Sequence, residues 1–231
     1  MSLPLFLVDS LDADVLDGPE GHHAADVMRL RAGERLLLGD GRGGMASAVV
    51  QAVGRGRLDL SIVERWYGDP PAPRLVVAQG IAKGDRGELA VQAMTEAGVD
   101  EIVPWTATRS VARWKDDRPL ERWRATAREA AKQARRPWLP VVSAPVSTAA
   151  LAPRVTFVLH EEATVRLSTV ELPLRDELVL VVGPEGGVAP EELSVFTSAG
   201  AVPVRLGDAV LRTSTAGVAA LSVLSARLGR W

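Results

Sequence analysis

Two stretches of the chain combine backbone freedom with polar side chains: VVGPEGG at 181–187 and RLGDAVLRTSTA at 205–216. Each begins in an apolar run that reads as a strand and leads into a run that reads as a helix, so each sets a glycine-bearing loop at the carboxyl end of a strand. Ligands of α/β sheets bind at such edges, because loop amides and carbonyls are free there and glycine lets the backbone approach closely. The first loop adds a carboxylate, Glu185. The second adds a guanidinium, Arg212, and the hydroxyls Thr213, Ser214 and Thr215 at a helix start, where Ser and Thr also serve as ordinary caps. Together the loops can frame a flat, adenosine-sized ligand held mainly by backbone groups; alone, the Gly207 loop reads as readily as a turn.

Other chemistries lack their residues. No cysteine is present, which excludes disulfides, thiol nucleophiles, zinc ribbons and iron–sulfur clusters. The three histidines, His22, His23 and His160, are too few and too dispersed for a three-histidine site, so no metal is expected. LHEEAT at 159–164 lacks the second histidine of H-E-x-x-H. A serine hydrolase elbow, G-x-S-x-G, is missing. The loop at 183–187 does not carry the dinucleotide fingerprint, and Glu185 within it would repel a pyrophosphate, which disfavours a Rossmann-type oxidoreductase.

The elements that must position these loops fall into two rhythms. Over the first 66 residues, short apolar stretches (LPLFLVD, ERLLLGD, ASAVVQAV, LDLSIVERW) alternate with the hairpin signals GRGG and GRGR, which predicts a small β-barrel or sandwich. Within it, GHHAADVMRL reads as one short helix with Ala24, Val27, Met28 and Leu30 on one face. GDPPAP at 68–73 then suggests a boundary, giving expected domains 1–70 and 71–231. Beyond it strands and helices alternate: RLVVAQGI, a helix through DRGELAVQAMTEAG capped by Gly98, EIVPW, a helix over about 119–136, VTFVLH, ELVLVVG, a helix from Pro190 to Gly200, VPVRLG and a last helix over about 214–228. The helix over 119–136 places Leu120, Trp123, Ala127, Ala130 and Ala134 on its inner face. Such alternation predicts a mostly parallel sheet covered by helices.

A net charge of −2, with 47% hydrophobic and 24% charged residues, describes an ordinary globular chain, but the charge is partitioned. Residues 1–72 carry a net of −4, 73–108 a net of −2, 109–138 a net of +6 and 139–231 a net of −2. Trp114, Trp123 and Trp138 lie in the basic block, with Trp105 just before it. Cations interleaved with aromatics suit a polyanion with stackable bases; a solvated helix face over core tryptophans is the alternative. No apolar run approaches the ~20 residues that span a bilayer, and the first residues are acidic where a signal peptide is basic, so a cytoplasmic protein with no membrane partner is expected.

VVGPEGG and RLGDAVLRTSTA, preceded by KGDRGELAVQAMTEAGV and REAAKQARRPWLP, resemble the RsmE family of 16S ribosomal RNA uridine-N3 methyltransferases, of the SPOUT superfamily. The likeness runs in order along nearly the whole chain and includes HHAADVMRLRAGE and LLLGDG near the start. It implies an α/β fold: a small PUA-like β-barrel for RNA binding, then a SPOUT-type domain with a parallel sheet and a deep trefoil knot. It further implies S-adenosyl-L-methionine as cofactor, a homodimer, and small-subunit ribosomal RNA or the assembled small subunit as partner. Another knotted RNA methyltransferase, acting on ribose 2′-hydroxyl or guanine, and a non-catalytic RNA-binding or assembly factor remain the alternatives.

By the same resemblance the cofactor would be held at Leu159 and His160, at Gly183, Pro184, Gly186 and Gly187, and at Leu206, Gly207, Val210, Leu211 and Thr213. Arg212 is the candidate for stabilising negative charge on the uracil as its N3 is methylated, with a structural arginine as the alternative. Glu185 is the candidate for orienting the substrate or accepting a proton. Candidate RNA contacts are Arg29, Arg31, Lys83 and Arg86, then Arg109, Arg113, Arg135 and Arg136. Four positions depart from the family pattern: Leu5 stands for an arginine, Ala93 for a lysine, Val188 for a phenylalanine and Ser214 for a glutamate.

Overall fold

A computed structural model describes residues 3–231. They form two compact units, one running up to Pro70 and including Ala131–Leu139, the other formed by Pro71–Ala130 and Pro140–Trp231.

The first unit holds a five-stranded sheet in the order β1-β3-β4-β5-β2, made of β1 (Leu5–Leu7), β2 (Val15–Leu16), β3 (Arg35–Gly39), β4 (Gly44–Gly54) and β5 (Arg57–Tyr67). Both glycine-bearing hairpins form where the sequence puts them, between β3 and β4 and between β4 and β5. Alternate residues bury one face, with Phe6, Leu36, Leu38, Ala46, Ala48 and Leu58 in its core. GHHAADVMRL is not a uniform helix: α1 (Gly18–His22) passes into a π-helical turn, His23–Val27, in which the Met28 N–H reaches His23 O. The wider turn shifts the buried face onto Ala24 and Ala25 and leaves Val27 and Met28 exposed, against the expected face.

The second unit is built on a six-stranded sheet, every pair parallel, in the order β11-β9-β10-β6-β7-β8. Its strands are β6 (Arg74–Gly80), β7 (Glu101–Trp105), β8 (Val141–Val142), β9 (Phe157–Leu159), β10 (Glu177–Val182) and β11 (Val202–Val204). Helices α2 (Arg86–Glu96), α3 (Arg118–Gln133), α4 (Thr148–Leu151), α5 (Pro190–Ser198) and α6 (Thr213–Arg227) connect them. Strand residues alternate between two cores. Leu75, Val77, Leu178, Leu180 and Val182 join one core with Met94, Trp123 and Leu224, while Val76, Ala78, Val179 and Val181 join another with Trp105 and Phe196. Such near-continuous apolar runs mark strands covered on both faces. The strand order reverses between β6 and β10, and crevices at the carboxyl ends open beside such reversals.

Helix α3 ends earlier than its sequence pattern suggests. Arg135 takes a left-handed conformation (φ 52°), its N–H bonds to Lys132 O, and Arg136 N–H closes on Ala131 O. Ala134 therefore lies beyond the helix and is exposed, and Ala131 takes the inner position instead. Among the described residues no helix is long and apolar enough to cross a membrane.

Candidate functional site

The carboxyl ends of β9, β10 and β11 open into a cavity of about 550 Å³, a size suited to a nucleoside-sized ligand. Leu159 and His160 line it from the end of β9, Gly183 to Gly187 from the loop after β10, and Leu206 to Thr213 from the loop after β11. All the residues expected at a cofactor site, together with Glu185 and Arg212, thus face one cavity. Val182, Val188 and Val204 supply apolar wall, whereas Glu161, Glu185 and Asp208 bring carboxylates and Arg86, Arg205 and Arg212 bring cations.

The sheet explains why the loops meet here. The Gly183 loop lies so close to β6 that a Cβ on Gly80 would fall 2.5 Å from Pro184 N, so only glycine fits at that strand end. Gly187 holds a positive φ of 72° and donates its N–H to Pro184 O at 2.9 Å, folding the loop back on itself. The second loop is fixed at its far end by α6: Thr213 Oγ1 donates to Gly183 O at 2.8 Å and accepts from Gln79 Nε2 at 2.9 Å.

Charged groups hold the rim. Glu185 Oε1 accepts from Lys83 N–H at 3.0 Å and from Arg86 Nη1 at 3.2 Å. Burial pushes this carboxyl up, but its own and the Lys83 backbone N–H and the Arg86 cation outweigh that, holding it below the usual carboxylate range. Glu185 is therefore anionic at neutral pH and a weak proton acceptor. Arg109 Nη1 donates to Gly186 O at 3.1 Å, tying the loop after β7 to the glycine loop. Asp208 pairs with Arg205 at 3.2 Å and with Arg166 at 3.5 Å, joining the second loop to the long connection after β9. The Arg212 side chain, at the N-terminal end of α6, is exposed and makes no hydrogen bond or ion pair among the described residues.

The eight cations expected to meet RNA divide between the two units. Arg29, Arg31, Arg135 and Arg136 belong to the first unit; Lys83, Arg86, Arg109 and Arg113 belong to the second. Arg86 and Arg109 are already engaged with the glycine loop, while Lys83 and Arg113 are exposed. The four departures from the family pattern lie in settings that suit the residues present: Leu5, Val188 and Ser214 are buried and Ala93 is half-buried.

Two supporting residues escape sequence reasoning. Gln79 is visible only as an uncharged polar residue near the end of an apolar strand. Glu192, in the first turn of α5, is buried and accepts from Thr108 N–H at 2.8 Å, Thr148 Oγ1 at 2.9 Å and Ala189 N–H at 3.2 Å. It joins the base of the glycine loop to the segment that carries Arg109.

Known proteins place this geometry. Residues 70–225 match the family described as RNA methyltransferase domain, and residues 16–63 match the RNA methyltransferase PUA domain. The ribosomal RNA small subunit methyltransferase E of Mycobacterium bovis is 46% identical over 243 residues, covering 98% of this chain and 93% of that one. The Bacillus subtilis protein of the same name is 31% identical over 226 residues, covering 91% and 88%. Among solved structures, a ribosomal RNA small subunit methyltransferase E from Neisseria gonorrhoeae bound to S-adenosyl methionine is similar with a TM-score of 0.87, at 26% identity and 98% coverage of both chains. A methyltransferase from Legionella pneumophila in complex with bound SAM gives a TM-score of 0.86, also at 26% identity and 98% coverage of both chains. With a carboxyl-edge cavity built by the two motif loops and likeness along almost the entire length, the chain belongs to the ribosomal RNA small subunit methyltransferase E family of RNA methyltransferases.

Proposed function

We propose that this protein transfers a methyl group from S-adenosyl-L-methionine to N3 of a uridine in small-subunit (16S) ribosomal RNA. The observation that carries the reading is the convergence of both motif loops on one cavity in a chain 46% identical to a ribosomal RNA small subunit methyltransferase E. The lining fits the cofactor: loop peptide groups and the side chains of Leu159, Leu206 and Val188 suit an adenosine, and the carboxylates of Glu161, Glu185 and Asp208 suit a cationic sulfonium. Bound there, S-adenosylmethionine supplies an electrophilic methyl carbon.

The residues of the chain then have separable tasks. Leu159, His160, Gly183, Pro184, Gly186, Gly187, Leu206, Gly207, Val210, Leu211 and Thr213 hold the cofactor. Arg212, unpaired and at the N-terminal end of a fifteen-residue helix, adds its charge to that of the helix terminus and stabilises negative charge on the uracil oxygens. Glu185, locked as an anion by Lys83 and Arg86, orients rather than accepts a proton. The proton leaving N3 passes to solvent.

The first unit acts as the PUA-like barrel that grips RNA, and the second as the SPOUT domain, with its connection at 160–176 forming part of a trefoil knot. Arg227 ties α6 to that connection, donating to Leu167 O at 2.8 Å and Val170 O at 2.6 Å, and Arg166 pairs with Arg205 beyond β11. A homodimer is supported by α6, which bears no charged side chain between Arg212 and Arg227 and leaves Val218, Ala219, Ser222 and Val223 only half-buried. The protein works in the cytoplasm, where its substrate is.

Mass mapping of nucleosides in small-subunit RNA from a strain lacking the gene tests the reading. One 3-methyluridine should be missing there and restored by purified protein with S-adenosylmethionine. Loss of a ribose methyl or a methylguanine instead would reassign the substrate, and an unchanged modification profile would leave an assembly factor.

A further inference from the structure

One buried amide beneath the cavity has no part in the chemistry above. Gln79, next to last in β6, is 0% exposed. Its Nε2 donates to Thr213 Oγ1 at 2.9 Å and to Gly80 O at 3.2 Å. Its Oε1, on the side of Gly217, is buried with no hydrogen-bond partner among the described residues. A buried acceptor left unpaired is costly, so something must favour this orientation of the amide.

The direction of the hydrogen bonds supplies the reason. Gly183 O can only accept, so the single proton of the Thr213 hydroxyl points to it, at 2.8 Å. Thr213 then offers Gln79 only a lone pair, and the amide must present its NH₂. Turned over, the amide would set Oε1 against both the hydroxyl lone pair and the Gly80 carbonyl. The relay therefore runs one way, from β6 through α6 to the glycine loop, and it crosses between the two loops that frame the cavity.

We propose that Gln79 is a positioning residue of the cofactor site: by donating to Thr213 it commits the hydroxyl proton to Gly183 and so fixes the separation of the two loops. This inference rests on reading the cavity as the S-adenosylmethionine site.

The test is calorimetric titration with S-adenosylmethionine, together with unliganded Tm, for the wild type, Gln79→Met, Thr213→Val and the double variant Q79M/T213V. Thr213→Val should raise Kd about tenfold and Gln79→Met about threefold, the size of effect expected for a net hydrogen bond and for the loss of its orienting donor. The double variant should bind no more weakly than Thr213→Val, because without the hydroxyl the amide has nothing to orient. Unliganded Gln79→Met should melt within about 2 °C of the wild type, since it loses the orphan acceptor along with the donors. A falling Tm with unchanged Kd, or fully additive losses in the double variant, would overturn the proposal. If Thr213→Val does not fold, Gln79→Met decides alone: weaker binding at an unchanged Tm supports the role and unchanged binding refutes it. A wild type that does not bind S-adenosylmethionine would instead sink the cofactor reading, and this inference with it.

Discussion

The two edges of the six-stranded sheet are built from the same residue types and put to opposite uses. At the amino edge, Arg74, Glu101, Ser143, Arg154 and Glu177 satisfy one another: Arg154 Nη2 reaches both Glu101 and Glu177, at 2.9 and 3.0 Å, Arg74 Nη2 bonds Glu101 at 3.0 Å, and the Ser143 hydroxyl donates to Glu101 at 2.6 Å. At the carboxyl edge, glycine loops replace most of the side chains, and Arg212 is left without a side-chain partner among the described residues, at the mouth of a cavity. Closed networks stabilise by internal compensation, whereas a site must leave groups uncompensated for a ligand to complete. Two carboxylates pulled down in pKa, Glu101 and Glu185, mark this contrast at the sheet edges, one inside the closed network and one on the rim of the cavity.

If the edges differ in this way, substitutions should separate binding, turnover and stability. The largest effect is expected from Arg212→Ala, which should slow single turnover about 100-fold, the scale of removing one charge-stabilising donor, while Kd for S-adenosylmethionine moves less than about threefold. Equal losses in both would deny Arg212 a role specific to the transition state. Gly80→Ala should weaken binding of S-adenosylmethionine about 30-fold, because the new Cβ meets Pro184 N at 2.5 Å and the overpacking displaces the glycine loop.

At the opposite edge Glu101→Gln should leave turnover per folded molecule unchanged and lower stability by about 2 kcal/mol, seen as a Tm drop of several degrees. The half-exposed arginines keep that figure below the cost of breaking a fully buried pair. Burial raises the Glu101 pKa, but hydrogen bonds from Arg154 and Ser143 and the charges of Arg154 and Arg74 outweigh it, so the folded value lies below the ordinary 4.5. The folded state thus favours the ionised carboxylate, and its stabilisation is complete above pH 4.5 and fades as pH falls toward the lowered value. The stability gap between wild type and Glu101→Gln should accordingly narrow in acid; a gap that is constant from pH 7 to about pH 3 would contradict this linkage. The smallest effect belongs to Arg113→Ala, which should weaken RNA binding about threefold and reduce the salt slope by about one, leaving cofactor affinity untouched.

Much of this organisation is legible in the sequence, and the misses have physical causes. The strand and helix alternation after residue 70 appears because parallel strands covered on both faces are continuous apolar runs, and their helices stop at glycines such as Gly98 and Gly200. Ala134 departs from its expected place because Arg135, not a glycine, takes the left-handed position that ends α3. Val27 and Met28 depart from the expected inner face because a π turn breaks the 3.6-residue period that defines it. The burial of Glu192 is not legible in the sequence, since it depends on donors at Thr108 and Thr148 that are far away in the chain.

The sequence by itself determined most of the longer elements, the two glycine loops and the residues on them, because local propensity, turn chemistry and motif spacing are carried within short windows of chain; the two-residue strands β2 and β8 and the one-turn α4 are too short to carry such a pattern. Only the tertiary structure decided that both loops face one cavity, that Arg86 and Arg109 are engaged there, and that a buried Gln79 aligns Thr213 with Gly183. Those relations join residues as far as 134 positions apart, Gln79 to Thr213. Their physical basis is the strand order of a parallel sheet, which brings the ends of β6, β10 and β11 to one edge whatever their distance along the chain.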